Sequence, residues 1–166
     1  MKKLIPIFAI IIVVVVLFLS LSTKQNMTVV YLNNSDKKPI DIVLGKFQDS
    51  DCGMVIDDIS YASQAIAPDG KTWFFHDHGA MAHWLKNKIF KDNATLWSYT
   101  KDTKRWINTR KAWFSLTDDT PMGYGFGAYE KKQKGFITYN DMFIRMARGE
   151  NMNNPQIKAK LLGTKK

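Results

Sequence analysis

Eighteen residues, Leu4 to Leu21, are apolar except for Pro6 and Ser20, and Lys2 and Lys3 stand directly before them. A positive start followed by a long apolar run is the pattern of an export signal. The run is close to the ~20 residues that a helix needs to cross a bilayer. It is longer than the ~7–15 apolar residues usual in a cleaved signal peptide, which favours an uncleaved anchor. The alternative is cleavage after Ser22, where Ser20 and Ser22 put small residues at the two determining positions. Either way Lys2 and Lys3 stay inside and the rest of the chain faces outward. The expected location is therefore the cytoplasmic (inner) membrane, single-pass, with the folded part in the periplasm, or the periplasm itself after cleavage. With no cysteine at the end of the run, a lipid-anchored form is not expected.

This placement gives the single cysteine its meaning. An exported chain with only Cys52 cannot close an internal disulfide. A leftover thiol in an oxidising compartment points to intermolecular pairing or to reactivity. The plain alternative is a small buried hydrophobe. About 140 residues follow the apolar run, one domain by the usual ~100–200 residues per domain. With eight Phe, six Tyr and five Trp they can build a core without disulfides. The net charge of +9 is spread along the chain, with local runs at Lys131–Lys134 and from Lys158 to Lys166. For an exported domain, nucleic acid is not an expected partner. Such runs read as a solvated face, or one near anionic lipid heads.

The organisation expected is a leader over 1–22, a linker with a short strand over 23–39, a main domain over 40–150 and a weakly structured basic tail over 151–166. Tyr61–Ile66 reads as a strand, and Ala67-Pro68-Asp69-Gly70 as a turn in which Pro presets φ and Gly tolerates a positive one. Lys71–His76 is the returning strand. Asp77 suits a helix N-cap, and Met81, Trp84, Leu85 and Ile89 fall near helical spacing over 79–90. Ala94–Trp106 reads as extended segments around a Lys-Asp-Thr turn, and 107–116 is open between strand and short helix. Gly123–Tyr129 alternates as a strand, Phe136–Tyr139 is another, and Asp141 is a second N-cap before Met142, Phe143 and Met146. The two stretches run in parallel. Each has a Met beside a Gly (Gly53-Met54, Met122-Gly123), then strand, turn, strand, Asp and helix. The fold class expected is α+β, two similar β-β-α units packed as an internal pseudo-repeat behind the N-terminal helix. If the two starting loops face each other, Cys52, Met54 and Met122 come together.

A thiolate with two thioethers is a soft ligand set, which selects Cu(I) over hard cations. Zinc is disfavoured because thioether suits it poorly. Gly53 lets the loop bend so that both sulfurs can approach one ion, and Pro121 stiffens the opposite loop. A second constellation is His76, His78, Met81 and His83, which holds all three histidines of the chain. His76 and His78 share a face if the strand continues through them, and imidazole suits copper and zinc alike. They are secondary candidate ligands, and His83 reads as an exposed helix residue. A hydrolytic enzyme is not expected. A thiol beside Asp49 and Asp51 gets no help in lowering its pKa, and no Gly-x-Ser-x-Gly, phosphate loop or HExxH is present. Two other classes remain beside a copper carrier: an exported thiol or redox protein using Cys52, and a non-catalytic membrane-anchored assembly factor.

Four motifs carry a family resemblance: CGMVI (Cys52–Ile56), YASQAI (Tyr61–Ile66), WFFHDHGAMAHWL (Trp73–Leu85) and TPMGYGFGAY (Thr120–Tyr129). Over about 40–149 the chain resembles the NosL family, accessory proteins of nitrous oxide reductase in denitrification. The resemblance implies a periplasm-facing copper chaperone, not an enzyme, that binds one Cu(I) and supplies it to apo nitrous oxide reductase or its membrane maturation complex. It implies an α+β fold of two similar units, and sulfur ligands at Cys52, Met54 and Met122. Two differences stand out. The family's lipid-bearing N-terminal cysteine has no counterpart, and His76-Asp77-His78-Gly79-Ala80 stands where the family often carries Asp-Asp and a Cys.

Overall fold

The computed structural model describes residues 10–16 and 27–163. The expected leader thus lies outside the described residues except for 10–16, which are helical with every side chain exposed. Among the described residues, no helix is long and apolar enough to cross a membrane.

The chain is α+β, with two antiparallel sheets. The larger sheet has the order β1-β3-β2-β4-β5, from β1 (Val30–Tyr31), β2 (Ser63–Ile66), β3 (Thr72–Phe75), β4 (Thr95–Tyr99) and β5 (Trp106–Asn108). The 67–70 turn forms as expected: the Gly70 amide donates to the Ala67 carbonyl (2.9 Å), and β2 and β3 pair as a hairpin. Every residue of β2 is buried, so both faces of this sheet are covered. On one face Ala65, Phe75 and Leu96 meet Ala80, Met81 and Leu85 of α1 (His78–Leu85). On the other, Phe74 packs with Phe47 and Ile56 of the irregular 34–58 segment. Gln64 binds that segment through both ends of its side-chain amide, taking the Ile40 N–H (2.9 Å) and donating to the Ile40 carbonyl (2.8 Å). Phe74 and Phe75 are fully buried, and each such side chain contributes about 2–3 kcal/mol.

The smaller sheet has the order β7-β6-β8, from β6 (Trp113–Phe114), β7 (Ala128–Tyr129) and β8 (Ile137–Thr138). Here the structure departs from the expected second hairpin. β7 and β8 do not pair with each other; each pairs with β6. The expected strand over 123–129 also shrinks to its last two residues, because Gly123 (φ 68°) and Gly125 (φ 89°) are in the left-handed region and cannot continue a strand. Next comes α2 (Tyr139–Ala147), which buries Met142 and Met146 against α1. Its N-cap is Thr138, not Asp141. The Thr138 hydroxyl accepts from the Asp141 amide (3.3 Å) and donates to its carboxylate (2.7 Å), a reciprocal cap with Asp141 at the third helical position.

Two boundaries need correction. α1 stops at Leu85, not residue 90. Trp84 and Phe90 both pack on Trp73 (ring centroids 4.9 and 5.3 Å), so the chain folds back and Ile89 is left fully exposed. The tail is a helix, α3 (Pro155–Leu162), and not weakly structured. Asn154 caps it, Pro155 opens it and Gly163 (φ 68°) ends it, but no residue of α3 is buried. Without a buried face there is no apolar periodicity to read.

Candidate metal centre

The loop that carries Cys52 is built around the carboxylate of Asp49, which is almost fully buried. One oxygen accepts the backbone amides of Asp51 (2.7 Å) and Cys52 (3.1 Å). The other accepts the His76 amide (2.9 Å) and lies 2.6 Å from His76 Nδ1. The backbone of Asp49 closes the same loop, with its amide donating to Met54 O and its carbonyl accepting from Gly53 N (2.8 and 2.9 Å). Closing it needs a left-handed residue at Gly53 (φ 77°). The glycine therefore serves a fixed turn rather than a flexible one. The loop also extends the edge of β3: where β1 stops, the Ser50 amide donates to Phe74 O (2.9 Å).

The result is a three-residue cluster. Ligand atoms of Asp49, Cys52 and His76 all lie within 4.8 Å of one another, with Cys52 exposed and the other two buried. Burial disfavours charge on Asp49, but the His76 ring and the three backbone amides outweigh it and hold the carboxyl below its ordinary value. Burial likewise opposes charge on His76, yet Asp49 outweighs it and holds the imidazole above its ordinary value. The Cys52 thiol is pushed up by partial burial and by the negative field of Asp49 and Asp51, against the Met54 amide. It is therefore a protonated, weak nucleophile. A cation can take the place of that proton. Asp49, engaged by four donors, serves best as the group that orients His76, and leaves Cys52 Sγ and the His76 ring as the groups that could hold an ion.

The predicted residues meet different fates. Met54 is half-exposed at the end of the loop. Met122 is partly buried against the core. Its amide donates to Asp77 Oδ2 (2.9 Å), one residue from His76, and its carbonyl accepts from Asn153 Nδ2 (2.8 Å). Asp77 is the expected N-cap, accepting the Gly79 amide at 2.7 Å through its other oxygen. Burial raises its pKa against these donors. The Tyr124 ring covers the start of α1 so closely that a Cβ on Gly79 would come within 2.6 Å of it. The Tyr124 hydroxyl is pushed up by burial and then by the negative field of Asp51, Asp77, Cys52 and Asp49.

His78 is not part of the cluster. The strand ends before it, Asp77 turns the backbone into α1, and the ring is fully buried between Tyr61 and Phe114. Its Nδ1 lies 3.1 Å from the Phe126 carbonyl, and Nε2 has no hydrogen-bond partner among the described residues. Burial drives its pKa down to about 4. His83, expected to be merely exposed, lies 3.0 Å from both oxygens of Asp51. The organising role of Asp49 was not foreseen. Its signal was the carboxylate two and three residues ahead of Asp51 and Cys52, a spacing at which Asp accepts following amides.

Comparison with known proteins adds no relative: no family model, no curated protein and no solved structure matches this chain.

Proposed function

We propose that this protein is a membrane-tethered, periplasm-facing metallochaperone that binds one Cu(I) at the Cys52 loop and hands it to a partner. The observation that carries the reading is the meeting of an exposed, proton-holding thiol and a carboxylate-oriented imidazole within 4.8 Å. Thiolate and imidazole both suit copper, and Met54 and Met122 as further ligands would select Cu(I) over zinc. An exposed sulfur leaves one side open for exchange. The protein does no chemistry on a substrate; its cargo is the ion. By resemblance of its motifs to the NosL family, the receiving partner is apo nitrous oxide reductase or its membrane maturation complex. The two halves are weakly related strand–strand–helix units, and Leu4–Leu21 is the anchor.

A second reading has its own support. Cys52, His76 and Asp49 are the residue types of a thiol–imidazole–carboxylate enzyme. Against it, the thiol is held up by partial burial and by its acidic neighbours.

The test is an anaerobic Cu(I) competition titration of the full chain in detergent, beside Cys52→Ala, Met54→Ala and Met122→Ala. The expected result is one tight site, with Cys52→Ala costing more than the about 10–100-fold typical of a supporting group and both Met variants weakened. No tight site, together with fast reaction of Cys52 with a thiol probe in metal-free protein, would establish the thiol enzyme instead.

A further inference from the structure

Half-exposed apolar side chains crowd one side of the molecule, around the metal loop. Among the described residues outside 10–16, eight of the eleven exposed large hydrophobics fall between Val29 and Val55. The others, Ile89, Ile144 and Leu162, stand singly, as scattered surface apolar residues ordinarily do. The crowded segments interleave. Thr28 bridges to Phe47 and Val55 to Gln48. The Val29 carbonyl accepts from Ser50 Oγ (3.1 Å), and the Gly45 amide donates to Ile56 O (3.0 Å). Val29, Leu32, Val43, Leu44, Met54 and Val55 are each 38–57% exposed. Exposed apolar side chains gathered on neighbouring, interleaved segments are the mark of a docking face.

The position of the chain's own apolar run says what covers it. Leu21 ends that run, and Met27, next to the face, follows six residues later. Six residues span at most about 20 Å when fully extended, less than the roughly 35–40 Å diameter expected of a domain this size. A domain on so short a tether keeps the tethered side nearest the bilayer, and that side is the apolar one. We propose that the face formed by residues 28–32, 43–48 and 54–55 rests on the lipid bilayer, so that the Cys52 loop meets its partners at the membrane surface. The inference rests on the anchor reading of Leu4–Leu21 and is independent of which metal is bound. The occupant is lipid, not a second copy.

The test is site-specific photo-crosslinking of the full chain in bilayer nanodiscs of phosphatidylethanolamine and phosphatidylglycerol. p-Benzoylphenylalanine replaces Leu44 on the face, Val14 in the apolar run, or Ile144 as the outlying control. Lipid adducts at Val14 and Leu44 and none at Ile144 are expected. Adducts at Val14 alone would overturn the docking and leave the anchor standing. None at either position would overturn both. Protein–protein adducts at Leu44 would assign the face to a second copy and overturn the lipid assignment.

Discussion

At the junction of β3 and α1, His76 and His78 stand either side of Asp77, and the protein treats them in opposite ways. His76 follows the last strand residue, and its ring is taken up by a buried carboxylate from a distant loop at 2.6 Å. His78 is the first residue of α1, with its ring between Tyr61 and Phe114 and no ion-pair partner among the described residues. One imidazole is held above its ordinary pKa by Asp49, despite burial; the other is driven down to about 4 by burial. Both can supply a ring nitrogen to a metal. Only the one with a carboxylate behind it, next to an exposed thiol, is positioned to do so. Histidine spacing in sequence is thus a weaker guide to a metal site than the group that orients each ring.

The largest expected effect follows from the two pKa shifts in metal-free protein. For His78 the unfolded state binds the proton more readily. Its stabilisation is therefore present above pH 6.5 and is lost as pH falls toward about 4. The full traverse is worth about 3 kcal/mol. For His76 the folded state binds the proton more readily, so its stabilisation is present below 6.5 and is lost as pH rises through the raised value. Asp77, raised by burial, acts in the same sense as His76 and blunts the acid side. Urea unfolding across pH should show stability greatest near neutrality. His78→Leu should flatten the acid limb between about 6.5 and 4 and leave the alkaline one. Asp49→Asn should flatten the alkaline limb and, because its own carboxyl is held below 3.8, also remove stability that is otherwise lost as pH falls below that value. If His78→Leu moves the alkaline limb, or Asp49→Asn leaves it unchanged, the two histidines do not differ as described.

Metal affinity sharpens the same comparison. Asp49→Asn removes the charge that orients His76 and puts an amide donor among four existing donors. It should weaken Cu(I) binding by about 10–100-fold. His78→Gln should leave affinity unchanged, read by the same competition titration. Equal losses from the two would mean that the core ring, and not Asp49, shapes the site.

Much of the frame was legible because local chemistry and tertiary structure agree. The Pro68–Gly70 turn, the Asp77 cap and the buried Met142 and Met146 all follow from spacing. The misreadings share one cause, a local pattern overruled by a contact or a cap. His76 and His78 alternate as on a strand, but the capping residue between them switches the backbone. Ile89 continues the helical period of Trp84 and Leu85, but Phe90 stacks back on Trp73. In the candidate site Cys52 was visible as the lone thiol. The partner that matters, Asp49, was recognised only as a nearby negative charge, because its contact with His76 spans 27 residues.

Gly79 tests how tightly the second loop covers the junction. Alanine in a helix is favoured over glycine by about 1 kcal/mol. Here its Cβ would meet the Tyr124 side chain at 2.6–2.8 Å, and overpacking costs about 1–3 kcal/mol. Gly79→Ala should therefore lose stability by about 1 kcal/mol net, and Tyr124→Ala in the same chain should restore the helix gain. Thermal unfolding of the single and double variants checks this. A stabilised Gly79→Ala would show that Tyr124 swings away freely and that the 120–124 loop does not brace the site.

The smallest effect separates the two parts of the tail. Asn153 holds the Met122 carbonyl at 2.8 Å, and the Met152 amide holds Tyr124 O at 3.2 Å, whereas α3 buries no residue. Asn153→Ala should cost about 1 kcal/mol, the usual net worth of one hydrogen bond. Ending the chain after Asn154 should cost less, within the ~0.5 kcal/mol typical of surface changes. The two are compared by urea unfolding. Should truncation cost more than Asn153→Ala, α3 would be supporting the fold through its partly buried side. The 151–154 turn would then no longer be the sole part of the tail that braces the Met122 loop beside His76.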